Sequence, residues 1–300
     1  SQGHPQMFGI RPDINEDPFD CLLDYLRSRQ LLLILDNFEH LLSGAHLVSQ
    51  ILSAAPETKI LATSREPLNL LGEWERQVNG MRFPDDDQVE DITLYSAVML
   101  FQERARQVRG NFSLGDDLPD VLRICRLVSG MPLAIELAAA WLRTLSCSAV
   151  ADEIQKNLDV LSTTRVDVPE RHRSIRAVFN ESWQRLNESE RELFKSLTVF
   201  RGSIQRRAAE QVAGASLLTL SSLAAKSLLM TSVPDRYEMH SLLRQYAEEK
   251  LKEKPSEQER LRDAHCGYYS VFVADRAEDL KGGRQKAALE EIHEEIRNIQ

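Results

Sequence analysis

The stretch Leu31-Leu32-Leu33-Ile34-Leu35-Asp36 is an unbroken apolar run of strand length that ends in a carboxylate. Consecutive apolar residues place apolar side chains on both faces of a strand, as is typical of parallel sheets that are covered on both sides. Residues 40–55 follow with apolar positions at helical spacing, and residues 59–65 resemble a second short strand. Strand, helix and strand within this length predict a parallel βαβ unit.

On either side of this unit the pattern is mostly helical. Residues 19–29 have helical spacing, residues 73–78 are predicted to form one more short strand, and residues 228–231 and 237–239 are predicted to form a hairpin around Pro234-Asp235. The remaining predicted helices cover residues 96–108, 118–128, 132–145, 150–161, 174–186, 189–199, 204–212, 217–223 and 240–252, and most of 257–300. Ser189, with Glu192 three residues later, is predicted to cap its helix.

These patterns predict an α/β piece followed by a mostly α region. We expect four parts: residues 1–92 with the parallel strands, 93–165 as a small helical domain, 166–254 as a winged helix, and 255–300 as the start of a helical repeat array. The chain begins Ser1-Gln2-Gly3 rather than with Met, so we expect an excised fragment.

Composition narrows the class of protein. The net charge of −9 disfavours binding to bulk nucleic acid, since an acidic chain repels phosphate backbones. No apolar stretch is long enough to span a membrane and no signal peptide is evident, so we expect a cytoplasmic protein without membrane partners. The four cysteines form no Cys-x-x-Cys pair, which favours free buried thiols over a zinc or redox site.

Two candidate residues follow the predicted strands. Asp36 is delivered to the carboxyl edge of the sheet, where a carboxylate can hold Mg²⁺, although many strands simply end in a solvated Asp. Arg65 ends the neighbouring strand within Thr63-Ser64-Arg65 and can meet a phosphate there, although, taken alone, an ordinary surface arginine is the better explanation.

Two further candidates lie in the helical region. Gly130 ends one predicted helix and Pro132 begins the next, which is either ordinary punctuation or a surface for a base. His240 stands between the hairpin and the next helix, either as a structural hydrogen-bonding residue or as a donor to a phosphate.

A P-loop is missing from the sequence. None of the thirteen glycines is followed by Lys, so the signature Gly-x4-Gly-Lys-[Ser/Thr] does not occur. The chain therefore lacks the loop and the lysine that bind β- and γ-phosphates in P-loop proteins.

Five segments in this order resemble the STAND-class P-loop NTPases, which are similar to NB-ARC proteins, and more narrowly the bacterial regulators of the antibiotic-regulatory and LuxR-like type. The segments cover the Walker B, sensor 1, Gly-x-Pro, winged-helix entry and Met-His-Asp motifs: residues 32–40, 62–68, 130–138, 171–177 and 237–247. The fold that this resemblance implies is a remnant of a P-loop NTPase parallel sheet, followed by a small helical domain, a winged helix and the start of a TPR-like array.

The resemblance also implies roles for single residues. Asp36 would be the Mg²⁺-associated carboxylate, Arg65 the phosphate sensor, Pro132 a contact to base or ribose, and His240 a contact to the ADP β-phosphate that holds an off-state. Glu39 would assist hydrolysis, because Asn37 stands where a second acid is common and an amide cannot act as a general base.

One departure from the family pattern is Ser241, which stands where Asp usually follows Met-His, so one charged latch on the off-state is absent. The resemblance implies ADP, ATP and Mg²⁺ as ligands of the intact parent, with self-association on activation and a P-loop upstream of Ser1. For the chain itself we expect weak nucleotide binding, no measurable hydrolysis and no resident cofactor.

The leading hypothesis is therefore a nucleotide-dependent signalling switch, the core of a bacterial transcriptional regulator whose parent is a slow ATPase. The first alternative is a winged-helix protein that binds DNA itself. Residues 170–252 hold 14 Lys and Arg against 10 Asp and Glu, a weaker positive charge than DNA readers usually carry, so we expect DNA binding only through a domain outside this chain. The second alternative is a nucleotide-free helical scaffold.

Overall fold

The structure is a computed structural model that describes residues 17–84, 91–164, 167, 169 and 172–300. The chain divides into two compact units, residues 1–77 with 225–227 and residues 78–224 with 228–300. The predicted division into four parts stays a prediction.

Single helices and single strands alternate only at the start of the chain. The helices are α1 (Pro18–Arg27), α2 (Ala45–Ala54), α3 (Ser96–Val108), α4 (Leu118–Leu127), α5 (Pro132–Ala140), α6 (Cys147–Lys156), α7 (Ile175–Gln184), α8 (Glu188–Ser196), α9 (Arg206–Ala213), α10 (Leu217–Ala225), α11 (Ser241–Lys252), α12 (Pro255–Arg276) and α13 (Gln285–Ile299). The strands are β1 (Leu31–Leu35), β2 (Thr58–Ala62), β3 (Ile204–Gln205), β4 (Met230–Val233) and β5 (Arg236–Glu238).

The predicted βαβ unit is present in the first unit. Strands β1 and β2 pair in parallel, with Leu31 opposite Thr58 and Leu35 opposite Ala62, and α2 lies between them in sequence. Every second side chain of β1, beginning with Leu31, packs against small clusters that α1 and α2 contribute to. Burial of these side chains is what holds the strand pair to its helices.

The opposite face of this sheet differs from the expectation that both faces are covered. Leu32, Ile34 and Leu61 are 56%, 65% and 54% exposed. A continuous apolar run predicts two covered faces, but within the part of the chain that the structure describes helices cover one of them. This surface, formed by Leu32, Ile34 and Leu61, is called the open face below.

The short strand predicted at residues 73–78 is wrong, because no strand forms there. The backbone turns instead at Gly72, whose φ of +83° favours glycine. The Glu73 carboxylate accepts hydrogen bonds from the backbone N–H groups of Leu68 at 2.9 Å and Leu70 at 3.2 Å. The alternating pattern placed Glu73 on a strand, but its side chain closes a turn instead.

Four helices build the first half of the second unit's core. Helix α5 buries most of its side chains, including Ile135 and Leu137, and packs against α3, where Phe101 is fully buried. Pro132 occupies the first turn of α5, as predicted, where its missing N–H is no loss.

The predicted hairpin also forms and belongs to a three-stranded antiparallel sheet of order β3-β5-β4. Ile204 pairs with Tyr237 and Gln205 with Arg236, so the helix predicted to begin at residue 204 begins at Arg206 instead.

The helix cap predicted at Ser189 is likewise wrong. Asn187 forms the capping box with Glu190, because its side chain accepts from the Glu190 N–H at 3.0 Å.

Arg176 links three segments of the second unit. Its guanidinium contacts Asp159, which follows α6, and both carboxylate oxygens of Glu249 on α11, at 2.5 and 3.2 Å. These charge-assisted hydrogen bonds, above all those of Glu249, raise the pKa of Arg176. The pair with Glu249 has the two-pronged geometry that gives arginine–carboxylate contacts their directional strength.

The cysteines are free, as predicted, but not all are buried. Cys125 and Cys147 are buried, and burial raises the pKa of each thiol to about 12, whereas Cys21 is half-buried and Cys266 is exposed.

Helices α12 and α13 confirm the predicted helical end of the chain. Among the described residues, no helix has both the length and the apolar character needed to cross a membrane.

Candidate functional site

The carboxyl ends of β1 and β2 are joined through one threonine hydroxyl. Thr63 Oγ1 donates to Asp36 Oδ1 at 2.5 Å and accepts from the Asn37 N–H at 3.0 Å. The backbones are tied at the same point, since the Phe38 N–H donates to the Thr63 carbonyl at 2.9 Å. Asp36 is exposed at this edge, so its second oxygen remains accessible to a ligand.

A buried acid and the predicted sensor arginine meet beside this edge. Glu39 lies in a short 3-10 turn after β1 and is 8% exposed, and Arg65 Nε lies 3.5 Å from its Oε1. The first unit thus brings together Asp36 with Thr63, and Glu39 with Arg65. A carboxylate that faces a guanidinium is occupied by it, which weakens the prediction that Glu39 acts as a base.

The other two predicted residues lie in the second unit, where two separate sequence motifs meet. Ser241 Oγ donates to the Leu127 carbonyl at 2.6 Å and lies 3.3 Å from Ser129 Oγ. The start of α11 is thereby fixed to the turn between α4 and α5, where Ser129 lies three residues before the exposed Pro132. Ser241, a departure from the family pattern, serves here as a neutral contact.

His240 is the N-cap of α11. Its Nδ1 accepts a hydrogen bond from the Leu242 N–H at 3.1 Å, so a neutral ring carries its proton on Nε2. Nε2 is buried and makes no hydrogen bond within the described residues. Burial lowers the pKa of His240 to about 4, and the nearby Val128 carbonyl opposes part of that shift.

The turn that His240 contacts is held by two glycines. Gly130 has φ +67°, and the Met81 N–H donates to its carbonyl at 2.8 Å. A Cβ added at Gly130 would lie 2.0 Å from the Met81 carbonyl oxygen, and one added at Gly80 would lie 2.2 Å from the Ser129 carbonyl oxygen. The segment around Met81 therefore lies directly on this turn, a contact that only glycines permit.

The sequence pattern proposed candidate residues but gave no role to Thr63 or Gly80, which contact the segments beside them. Thr63 stood in the quoted sensor motif without a role of its own, and its signal was a hydroxyl at the end of the strand next to Asp36. Gly80 gave no signal, because nothing in the local pattern shows that residue 80 meets residue 129.

Comparison with known proteins gives relatives but no family model, since none matches the chain. A protein of Mycobacterium tuberculosis named "Putative HTH-type transcriptional regulator" is 34% identical over 278 residues, covering 89% of this chain and 30% of that protein. A Mycobacterium bovis protein with the same description matches equally. A protein of Mycobacterium tuberculosis named "Uncharacterized protein" is 32% identical over 195 residues, covering 64% of this chain and 47% of that protein.

The chain is thus a relative of mycobacterial proteins named as transcriptional regulators, and it spans less than a third of their length. A structural comparison gives a STAND protein with a tetratricopeptide repeat sensor from Pyrococcus horikoshii, at 16% identity and a TM-score of 0.27. The alignment covers 98% of this chain and 43% of that one. A TM-score at this level does not establish a common fold.

Proposed function

We propose that this chain is the core of a nucleotide-controlled transcriptional regulator, in which ADP and ATP favour different conformations. The observation that carries the proposal is the arrangement at the ends of β1 and β2. There Asp36 is positioned by Thr63, and Arg65 lies against Glu39. In open parallel sheets, ligands bind at the carboxyl ends of the strands, so this edge is where a phosphate and its metal ion would be expected.

The His240 ring supports the proposal from the second unit. Its Nε2 proton is a buried donor that makes no well-formed hydrogen bond among the described residues, although the Val128 carbonyl acts on the ring. Leaving such a donor unpaired costs roughly 1–3 kcal/mol, and a phosphate oxygen that accepts from it would recover that energy. The ring therefore fits the role of a contact to the terminal phosphate of ADP.

A magnesium ion fits this edge only with help from its nucleotide. Among the described residues, no group of three or more His, Cys, Asp or Glu side chains could enclose a metal ion. Asp36 would therefore supply one oxygen, directly or through water. Mg²⁺ commonly takes one or two carboxylates and completes its six positions with phosphate oxygens and water, so this arrangement is chemically reasonable.

The proposed switch depends on which phosphate each residue contacts. In the off-state, His240 would donate to the last phosphate of ADP and hold α11 in place. Arg65 would contact the additional phosphate of ATP and would then exchange part of its interaction with Glu39 for it. A ligand shifts a two-state equilibrium only through such differential contacts. Release of the His240 contact would open the core and permit self-association.

The open face supports a larger sheet in the intact parent. Leu32, Ile34 and Leu61 are apolar and accessible, as expected for strands that are normally covered on both sides. We propose that the covering elements, and the P-loop with them, lie on a segment outside these 300 residues. The names of the mycobacterial relatives support a transcriptional output, and we place DNA binding in another domain.

The test is calorimetric titration of ADP with Mg²⁺ into the chain extended upstream to include the proposed loop. We expect His240→Ala to weaken ADP binding by about tenfold, because a hydrogen bond to a charged phosphate is worth roughly 1.5–3 kcal/mol. His293→Ala is the matched control, since His293 is exposed on α13 and should leave the affinity within about twofold.

Two results would reject the proposal. One is the absence of ADP binding by the extended chain, which would favour a nucleotide-free scaffold. The other is an equal loss in the His240 and His293 variants. Separately, a shift of labelled duplex DNA by this chain that weakens steeply with added salt would favour the alternative that the β3-β5-β4 sheet and its helices form a DNA-binding winged helix.

A further inference from the structure

The loop 200–202 is clamped between α11 and α13. Asn298 is 3% exposed, and its Oδ1 accepts from the backbone N–H groups of Arg201 at 2.9 Å and Gly202 at 2.8 Å. Its Nδ2 donates to the Ser203 carbonyl at 2.8 Å. A buried amide that makes three such bonds fixes the loop, and with it the base of the Arg201 side chain.

Three arginines from separate elements come together at this clamp. Arg244 of α11 donates from Nη1 to the Arg201 carbonyl at 3.0 Å. Arg297 of α13 lies against the same loop, since a Cβ added at Gly202 would be 3.1 Å from the Arg297 Cβ. Arg201, Arg244 and Arg297 are called the arginine cluster below.

The arginine cluster carries more positive than negative charge. Glu248 pairs with Arg201, its Oε1 lying 2.8 Å from Nη1. In the described parts of the chain, Arg297 has no ion pair, and Arg244 Nε is buried without a hydrogen-bond partner. Glu295, the other nearby acid, is engaged at 2.7 Å by Arg236.

The directions of the pKa shifts of Arg244 and His265 agree with this excess of positive charge. Burial, followed by the charge of Arg201 and then a smaller effect of Arg297, lowers the pKa of Arg244, and Glu248 opposes the change. Burial and then Arg201 also lower the pKa of His265, which Glu295 opposes. Burial is the larger cause in both groups, and the positive charge of Arg201 adds to it.

Other arginines at similar junctions are neutralised. Arg176 contacts two carboxylates, those of Asp159 and Glu249, and Arg236 contacts the two carboxylates of Glu294 and Glu295. Arg176 and Arg236 each face two acids, so their charge is balanced within the fold. The arginine cluster is an exception, since one acid, Glu248, faces three guanidinium groups, and the positive charge left over would be stabilised by a bound anion.

We propose that Arg201, Arg244 and Arg297 form a binding site for a small phosphate-bearing anion. Guanidinium groups present planar pairs of N–H donors that match phosphate oxygens, and three of them can surround one group. The site lies at least one helical turn beyond His240 along α11 and does not depend on the nucleotide switch proposed above. It would let a phosphorylated metabolite tie α11 to α13.

The experiment is calorimetric titration of inorganic pyrophosphate into the chain as it stands. We expect a dissociation constant of about 1 mM or tighter, and a weakening of at least about fivefold in Arg297→Ala, in line with the loss of one charge-assisted contact. Arg143→Ala is the matched control, because Arg143 is exposed and its substitution removes the same charge. It should change the affinity less than about twofold.

Several outcomes would overturn the proposal. They are the absence of pyrophosphate binding by the unaltered chain, equal losses in the Arg297 and Arg143 variants, and binding of a short DNA duplex that depends on Arg297 where pyrophosphate does not bind. If Arg297→Ala proves unstable by circular dichroism, Arg297→Gln gives the same comparison while retaining the stem of the side chain. His240→Ala should leave pyrophosphate binding unchanged, which separates this site from the nucleotide switch.

Discussion

At the scale of single residues, His240 combines a structural and a proposed ligand-binding role in one ring. Nδ1 satisfies a backbone N–H at the start of α11, while Nε2 is left buried with its proton. The cap makes the ring orientation fixed rather than adjustable. A ring held in one orientation loses little further freedom when a phosphate oxygen reaches it, which is the property expected of a preorganised contact.

The low pKa of His240 predicts a dependence of stability on pH. The ring has a pKa of about 4 in the folded chain and about 6.5 when unfolded, so only the unfolded state gains a proton between these values. Folding stability should therefore fall as pH decreases from about 6.5 to about 4, by up to about 3 kcal/mol. His240→Asn retains a capping acceptor but cannot titrate, so urea unfolding at several pH values should show a shallower loss.

His265 also has a lowered pKa and will add its own slope in both proteins, so the comparison rests on the difference between His240→Asn and the unaltered chain. Identical slopes in the two would show that His240 does not stay neutral in the folded state.

The positions of the candidate residues at strand ends follow from local pattern, whereas their contacts do not. Asp36 and Arg65 were predicted at strand ends because parallel strands deliver their last residues to one edge, a rule that depends only on local pattern. The pairing of Arg65 with Glu39 could not be predicted in the same way, since residues 26 apart in sequence meet only through the crossover. The joint cleft of Asp36, Arg65, Pro132 and His240 stays a prediction.

At the scale of elements, the turn between α4 and α5 is the most constrained feature of the second unit. Gly130 adopts a left-handed conformation and its backbone lies against Met81. Ser241 reaches the same turn from α11. Three distant segments thus depend on one turn, so a change there should disturb all of them.

Gly130→Ala should destabilise the chain by about 3 kcal/mol or more, because a left-handed residue with a Cβ costs about 1–2 kcal/mol and the clash with Met81 adds to it. Gly214→Ala is the matched control. Gly214 has nearly the same φ, +65°, but a Cβ there would meet nothing within 4 Å, so only the conformational cost of about 1–2 kcal/mol should appear.

Chemical denaturation of the two variants separates the effects of conformation and contact. Equal losses of stability in Gly130→Ala and Gly214→Ala would show that Met81 can move away from the turn without cost.

Helices and strands were predicted correctly where the spacing of apolar residues determines them. They were missed where side-chain contacts or distant strand partners determine the local structure. Helices α3 to α8 and the β4–β5 hairpin follow from spacing and turn residues. The predicted strand at residues 73–78 failed because the Glu73 carboxylate binds two backbone N–H groups. The start of α9 was misplaced because Ile204 and Gln205 pair with β5, a partner more than thirty residues away. Local patterns do not contain such partners.

At the scale of the whole molecule, the two units have cores of different extent. The buried apolar residues of the first unit form two clusters of three, whereas those of the second form one continuous cluster from α3 to α12. Since burial of apolar surface is the main source of stability, the first unit should open more readily.

Native-state hydrogen exchange tests this difference. We expect the hydrogen-bonded amides of β1 and β2 to exchange at least about tenfold faster than those of α4 and α5, corresponding to a difference in opening free energy of about 1.4 kcal/mol or more. Fully buried residues such as Leu122 and Ile135 should mark the slowest region. Equal protection in β1 and α4 would mean that both units unfold together.

The open face has a consequence for how the protein behaves in concentrated solution. Leu32, Ile34 and Leu61 lie on a two-stranded sheet, and within the described residues both of its outer edges lack a neighbouring strand. Exposed apolar patches beside unpaired strand edges promote association between molecules and aggregation. The mutual repulsion of molecules that each carry nine excess negative charges is the force that counters this stacking, and dissolved salt weakens it.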